Sequence, residues 1–170
     1  MRLDGKVVLV TGASRGIGLG IVERFHEEGA IVYAGSTSNP SGVYPDGVTG
    51  ITLDVADEAQ WKTAIRQIVE AQGRIDCLVN NAGIAVYDGV ADGSTENWRK
   101  VIGVNQDGVF FGMREVIPHM QKEKSGSIIN ISSIWGKAAV AGAHAYHASK
   151  GALVMMTKNA AITYVKEGIA

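Results

Sequence analysis

The 170-residue chain has one cysteine, Cys77, so no disulfide can form within it and the framework of a small disulfide-stapled secreted domain is excluded. Cys77 sits in an apolar run and reads as a small core hydrophobe. Net charge is almost absent: 16 Lys and Arg against 17 Asp and Glu leave −1. With no Lys/Arg-rich run, there is no electrostatic footprint for nucleic acid or an anionic membrane. No apolar stretch approaches the roughly 20 residues of a membrane span. The first ten residues lack the long apolar region and small-residue cleavage site of a secretory leader. A cytoplasmic location is the expectation. Internal repeats, linkers and low-complexity tracts are missing too.

What is present is the balance of a globular protein, 46% hydrophobic and 19% charged, arranged in alternating periodicities. Residues 7–10 form a β-branched run ending at Thr11-Gly12. Ile17, Ile21, Val22 and Phe25 recur at helical spacing, and Gly29 stops that helix. Residues 30–34 and 49–53 read as strands. Asp57 is placed to cap a helix over 58–71. Residues 77–79 read as strand, and Ser94 or Thr95 caps a long, interrupted helical stretch to Lys122. Residues 127–131 are strand and 146–166 helix. The stretch 36–50, rich in Ser, Gly, Pro and Asn, reads as a surface loop. Such alternation predicts βαβ units: an α/β, doubly wound parallel sheet with helices on both faces, in one domain over 1–170.

The first strand-to-helix turn is Thr11-Gly12-Ala13-Ser14-Arg15-Gly16-Ile17-Gly18. Glycines there let the backbone turn tightly and approach a pyrophosphate, and the helix N-terminus behind offers unpaired N–H groups. The spacing is Gly-x-x-x-Gly-x-Gly rather than Gly-x-Gly-x-x-Gly. A site for NAD places an acid after the second strand, to bind the ribose 2′-hydroxyl. Here that stretch is Gly35-Ser36-Thr37-Ser38, without a carboxylate. Arg15 stands in the glycine turn within reach of a 2′-phosphate, so the expected cofactor is NADP(H), with NAD(H) as the alternative.

Tyr146 and Lys150 are four apart and lie on one helix face. A lysine ammonium one turn away favours the phenolate. The tyrosine can therefore act as general acid toward a carbonyl and general base toward an alcohol. Ser132-Ser133 follows the strand at 127–131, at the carboxyl edge where ligands bind in open α/β sheets, and a hydroxyl there can bond a substrate carbonyl. Asn80-Asn81-Ala82-Gly83 ends the preceding strand at the same edge. His144 and His147 flank Tyr146 and read as loop or cap residues. No carboxylate or cysteine cluster accompanies them, and no metal site is expected.

In these features the chain resembles the short-chain dehydrogenase/reductase family. The resemblance rests on the 11–18 turn, Asp54-Val55, residues 80–83, Asn105, Ser133 and the Tyr146/Lys150 pair, in family order and across the whole chain. It implies a Rossmann-like sheet of strand order 3-2-1-4-5, and a reaction interconverting a secondary alcohol and a ketone by hydride transfer. Tyr146 would be the acid/base, and Lys150 would tune it and hold the nicotinamide ribose. Ser133, rather than Ser132, would orient the carbonyl, and Asn105 would hold a water in a proton relay. Gly12, Ser14, Arg15, Gly16, Ile17, Gly18, Ser36, Thr37, Asp54, Val55, Asn81, Ala82 and Gly83 would line the cofactor groove.

Residues 81–86 and 105–112 are similar to those of secondary-alcohol and hydroxysteroid dehydrogenases, and residues 35–39 to those of β-ketoacyl reductases. Trp135 reads equally as a wall of the substrate site and as ordinary packing. Family members run to roughly 250 residues, still the size of one domain. The chain is therefore expected to lack the last two strands and the substrate lid, to leave its fifth strand as an open edge, and to turn over weakly or not at all by itself. Helices pairing between subunits imply a dimer or tetramer. A non-catalytic nucleotide-binding module, or an inactive fragment of a reductase, stays open as an alternative. Sugar-nucleotide epimerases are disfavoured by their Gly-x-x-Gly-x-x-Gly spacing.

Overall fold

β1 (Val7–Thr11) is buried at every position, as a parallel strand covered on both faces must be, and this explains its continuous apolar run. In a computed structural model, which describes residues 1–38 and 43–170, it is the centre of a five-stranded sheet. The others are β2 (Ile31–Ser36), β3 (Thr49–Thr52), β4 (Cys77–Asn80) and β5 (Ser127–Asn130). The order is β3-β2-β1-β4-β5 and every pairing is parallel, as expected from the sequence. Alternate side chains of β1 serve two cores. Val7 and Leu9 face α2 (Glu58–Gln72), α4 (Gly108–Glu123) and α5 (His144–Tyr164). Val8 and Val10 meet Val22 of α1 (Gly16–Glu27).

Polar residues set the helix ends. Asp57 Oδ1 accepts from the N–H of Ala59 (2.8 Å) and Gln60 (3.2 Å), and Ser94 Oγ accepts from that of Asn97 (3.0 Å). The interrupted stretch after Ser94 resolves into α3 (Thr95–Ile102), a π-helical turn over Gly103–Asp107, and α4. α5 starts at His144, two residues before the expected position, and ends at Tyr164. The stretch 36–50 is loop only in part, since Ser36 closes β2 and Thr49 and Gly50 open β3. Its residues 39–42, with Asn39 of the stretch similar to β-ketoacyl reductases, lie outside the described residues.

One expectation needs correction. The outer edge of β5 is not wholly open, because residues 168–170 run parallel to its start. Gly126 N–H donates to Gly168 O (3.2 Å), Ala170 N–H to Gly126 O (3.0 Å) and Ile128 N–H to Ala170 O (2.8 Å). Gly168, at φ 77°, makes the reversal out of the helix that brings the chain back to the sheet.

Asp76 ties the amino ends of β1 and β4 together: it accepts from Val7 N–H (2.9 Å), from Lys6 Nζ (3.4 Å) and from Arg74. Burial pushes its carboxyl up, but the Arg74 and Val7 hydrogen bonds and the Arg74 and Lys6 charges outweigh this and hold it below the usual value. A carboxyl depressed in the folded state stabilises above its unfolded pKa and loses that stabilisation as pH falls. Denaturant titrations should show stability dropping as pH falls below ~3.9, the unfolded aspartate value. Asp76→Asn should be less stable at pH 7 and show less of this acid dependence; an identical pH profile would contradict the assignment.

Candidate active site

Parallel register brings the carboxyl ends of all five strands to one edge of the sheet. Thr11 sits opposite Gly35, Ser36 opposite Thr52, and Asn80 opposite Asn130. The turn from β1 to α1 lies there. Arg15, extended at φ −165°, is the N-cap of α1 but gives its helix no side-chain bond. The first hydrogen bond of that turn is Leu19 N–H to Arg15 O (3.3 Å). The N–H groups of Gly16, Ile17 and Gly18 thus open on the groove without helical partners, as helix geometry dictates.

The glycines are required by close approach. A Cβ on Gly12, which has φ 63°, would lie 2.8 Å from Ala82 Cα. A Cβ on Gly18 would overlap the Gly12 carbonyl and lie 2.5 Å from Asn81 Nδ2. Thr11 Oγ1 and Asn81 lock the two turns together. The hydroxyl accepts from the N–H of Asn81 (3.0 Å) and Ala82 (3.1 Å), while Asn81 Nδ2 donates to Thr11 O (3.0 Å) and Gly12 O (3.2 Å). The result is a groove of about 710 Å³ floored by bare backbone.

Thirteen expected residues line this one groove: Gly12, Ser14, Arg15, Gly16, Ile17, Gly18, Ser36, Thr37, Asp54, Val55, Asn81, Ala82 and Gly83. Ser38, Leu53, Ile84 and Val104 line it as well and were not anticipated. Ser38, Leu53 and Ile84 adjoin motif residues, so adjacency was the available signal; Val104 is brought in by the π turn. The donor set fits a dinucleotide: free helix N–H groups and a glycine cradle for phosphates, and apolar Leu53 and Val55 for a base.

Tyr146 and Lys150 stand beyond the Gly83 end of the groove. Lys150 is 4% exposed and donates to Ile131 O (2.7 Å). Its Nζ is 5.7 Å from the Tyr146 ring centre, and 3.5 Å from where a Gly83 Cβ would project. Burial lowers its pKa from the ordinary lysine value. The Tyr146 hydroxyl makes no hydrogen bond among the described residues.

The two serines diverge. Ser132 Oγ donates to Lys150 O (2.9 Å), packing the turn on α5, whereas Ser133 Oγ accepts from Trp135 N–H (3.1 Å) and keeps its own proton to donate. Asn105, fully buried in the π turn, accepts from Ile84 N–H (2.8 Å) and donates to Ile84 O (2.8 Å) and Ser149 Oγ (3.1 Å). The extra residue of a π turn is what aims this side chain inward. Its Oδ1 lies 3.4 Å from the same Gly83 Cβ position that Lys150 approaches. Ser149 was not anticipated, although it adjoins Lys150.

A parallel sheet wound on both sides, with a glycine turn and a groove at its carboxyl edge, defines a Rossmann-like nucleotide-binding fold. The chain belongs to the short-chain dehydrogenase family, whose sequence pattern matches residues 6–170, a family of NAD(P)-dependent dehydrogenases and reductases. It is 45% identical to the NADP-dependent (R)-specific alcohol dehydrogenase of Lentilactobacillus kefiri, over 95% of this chain and 67% of that protein. It is 41% identical to the 2,5-dichloro-2,5-cyclohexadiene-1,4-diol dehydrogenase of Sphingobium indicum, over 99% of this chain and 70% of the relative. A crystal structure of a short-chain dehydrogenase from Streptomyces avermitilis superposes with a TM-score of 0.91 at 32% identity, covering 98% of this chain and 63% of that one.

Proposed function

We propose that this chain carries the cofactor and acid/base machinery of an NADP(H)-dependent oxidoreductase that interconverts a secondary alcohol and a ketone, with residues 1–170 acting as one dinucleotide-binding unit. The observation that carries the reading is that Lys150 Nζ and Asn105 Oδ1 reach within 3.5 and 3.4 Å of the Gly83 Cβ position at the groove, with the Tyr146 ring centre 5.7 Å from that Nζ. A dinucleotide held by the Gly12–Gly18 turn and Gly83 would supply the hydride chemistry when bound. Ser133 hydrogen-bonds the carbonyl oxygen through its free hydroxyl, keeping its proton and stabilising the charge that develops there. The Tyr146 hydroxyl delivers the proton to that oxygen in reduction and removes it in oxidation. Lys150, anchored through Ile131 O, keeps two N–H donors for ribose hydroxyls and sets a positive charge beside the phenol. Asn105 ties the Ile84 loop to α5 and keeps one Oδ1 lone pair for a water beside Lys150.

Preference for the 2′-phosphate rests on Arg15, exposed at the groove without an ion pair among the described residues, and on Ser36, Thr37 and Ser38 where an NAD site carries an acid. The NADP-dependent relative from Lentilactobacillus kefiri supports it. A charge-assisted hydrogen bond contributes about 1.5–3 kcal/mol. Arg15→Ala should therefore raise KM for NADPH on the order of 10-fold and leave KM for NADH nearly unchanged; equal effects on both would remove the phosphate assignment. The function itself is tested by following NADPH and NADH absorbance with a panel of ketones. Cofactor binding without turnover of any of them would favour the non-catalytic module or an inactive fragment of a reductase.

Among the described residues no helix is long and apolar enough to cross a membrane. Burial pushes the Cys77 thiol up to about 11, so it is not a reactive thiol. Exposed Phe110 on α4 and Met155 and Ile162 on α5 support pairing of these helices in a dimer or tetramer.

A further inference from the structure

His147 falls inside α5, one residue after Tyr146, and both its ring nitrogens have partners. Nδ1 lies 2.8 Å from Ala143 O, an acceptor, and Nε2 accepts from Val140 N–H at 3.1 Å. That pair of partners dictates the tautomer with its proton on Nδ1. The Ala143 carbonyl also receives the His147 backbone N–H (3.0 Å). Ala143 is fully buried at φ 55°, a left-handed conformation costing a residue with a Cβ about 1–2 kcal/mol. Two donors of one histidine thus converge on the strained residue from which α5 starts. The ring also stacks on Trp135, with centres 5.4 Å apart and planes 7° from parallel. Trp135 in turn presents edge contacts to Tyr146 (5.7 Å, 85°) and Tyr87 (6.2 Å, 88°).

We propose that His147 is a positioning residue for the carbonyl pocket: it ties residues 140–143 to α5 and holds the Trp135 indole as a fixed wall beside Tyr146, matched to a flat, bulky ketone. The inference rests on the reductase reading above. Trp135 is half-buried, so one part of the indole is packed and the remainder is available to a ligand. An aryl group can meet that surface in the stacked or edge geometries that aromatic pairs prefer, whereas a short aliphatic ketone gains little from it. Without the imidazole the indole loses its stacking partner, and Val140 N–H and the Ala143 carbonyl each lose a partner.

The test compares kcat/KM for acetophenone and butan-2-one, with NADPH, in the full chain carrying His147→Ala, Trp135→Ala or both. Expected are a fall of about 10-fold in the acetophenone-to-butanone ratio for His147→Ala, arising mainly in KM, and no further fall when Trp135→Ala is already present, because residues acting through one another are non-additive. A ratio unchanged by His147→Ala, or one reduced equally with and without Trp135, would overturn the proposal. His147→Phe keeps a ring to stack but no hydrogen bonds; it should recover part of the ratio, and it replaces His147→Ala in the cycle if that variant fails to fold. A wild-type chain that neither binds NADPH nor reduces either ketone defeats the reductase reading, and this inference with it; one that binds NADPH but reduces neither ketone defeats this inference alone, and both are distinct from a failure of the positioning role.

Discussion

Tyr146→Phe is expected to abolish ketone reduction while leaving the fold and cofactor binding in place. The substitution removes one oxygen atom. Its hydroxyl has no hydrogen-bond partner among the described residues, so no buried group is orphaned. The ring that packs edge-on against Trp135 at 5.7 Å and lies 5.7 Å from Lys150 Nζ is retained. Stability should shift by no more than about 0.5 kcal/mol. What disappears, on the proposed mechanism, is the proton donor for the developing alkoxide. Positioned acid/base groups contribute typically 10²–10⁴-fold, and Ser133, an ordinary alcohol, is a hydrogen-bond donor rather than a replacement acid. Stopped-flow absorbance of NADPH should show kcat reduced on the order of 10³-fold, with cofactor affinity within threefold of wild type by fluorescence titration. A variant with near wild-type turnover would end the acid/base role and send the search to another proton source.

Gly18→Ala should be the most damaging small substitution in the groove, and its sign opposes helix propensity. Gly18 lies in the first turn of α1, where alanine would ordinarily add up to about 1 kcal/mol of stability. A Cβ at this position would instead overlap the Gly12 carbonyl and press on Asn81 Nδ2. These groups are themselves joined, through Asn81 Nδ2 to Gly12 O at 3.2 Å, so relief at one strains the other. Overpacking costs typically 1–3 kcal/mol. Cofactor affinity should weaken on the order of 30-fold, because one tenfold step is 1.4 kcal/mol and the displaced backbone is the proposed phosphate cradle. The melting temperature should fall by several degrees. Gly20→Ala is the internal control: it lies on the same helix, exposed, with nothing within 4 Å of the Cβ position. It should raise the melting temperature and leave cofactor binding alone. If the two variants behave alike, the close-approach argument is wrong.

Much of the architecture was legible because its signals are local. The β-branched run of β1, the helical spacing of Ile17, Ile21, Val22 and Phe25, and the Asp57 and Ser94 caps each act within a few residues, and each is found in its expected element. Glycine spacing in the 11–18 turn was legible for the same reason, since a backbone that must approach a neighbour closely cannot carry a Cβ. Other features depend on distant partners. The interruption of the 95–122 helix was visible, but not that a π turn would swing Asn105 inward onto Ile84 and Ser149. Ala143, an ordinary residue by sequence, is held left-handed by His147 seven residues from the Val140 N–H that the same imidazole receives.

By itself, then, the chain's residue order determined the alternation of strands and helices, the parallel sheet, the glycine turn and the identity of most groove-lining residues, because hydrophobic period, capping and steric size are properties of neighbouring residues. Only the tertiary structure decided which serine keeps a free proton, how His147 and Trp135 lie against Tyr146, and that residues 168–170 return to pair with the edge of β5. Those depend on which groups from separate elements arrive within 3–6 Å of one another, and hydrogen bonds and ring contacts form only over such short distances.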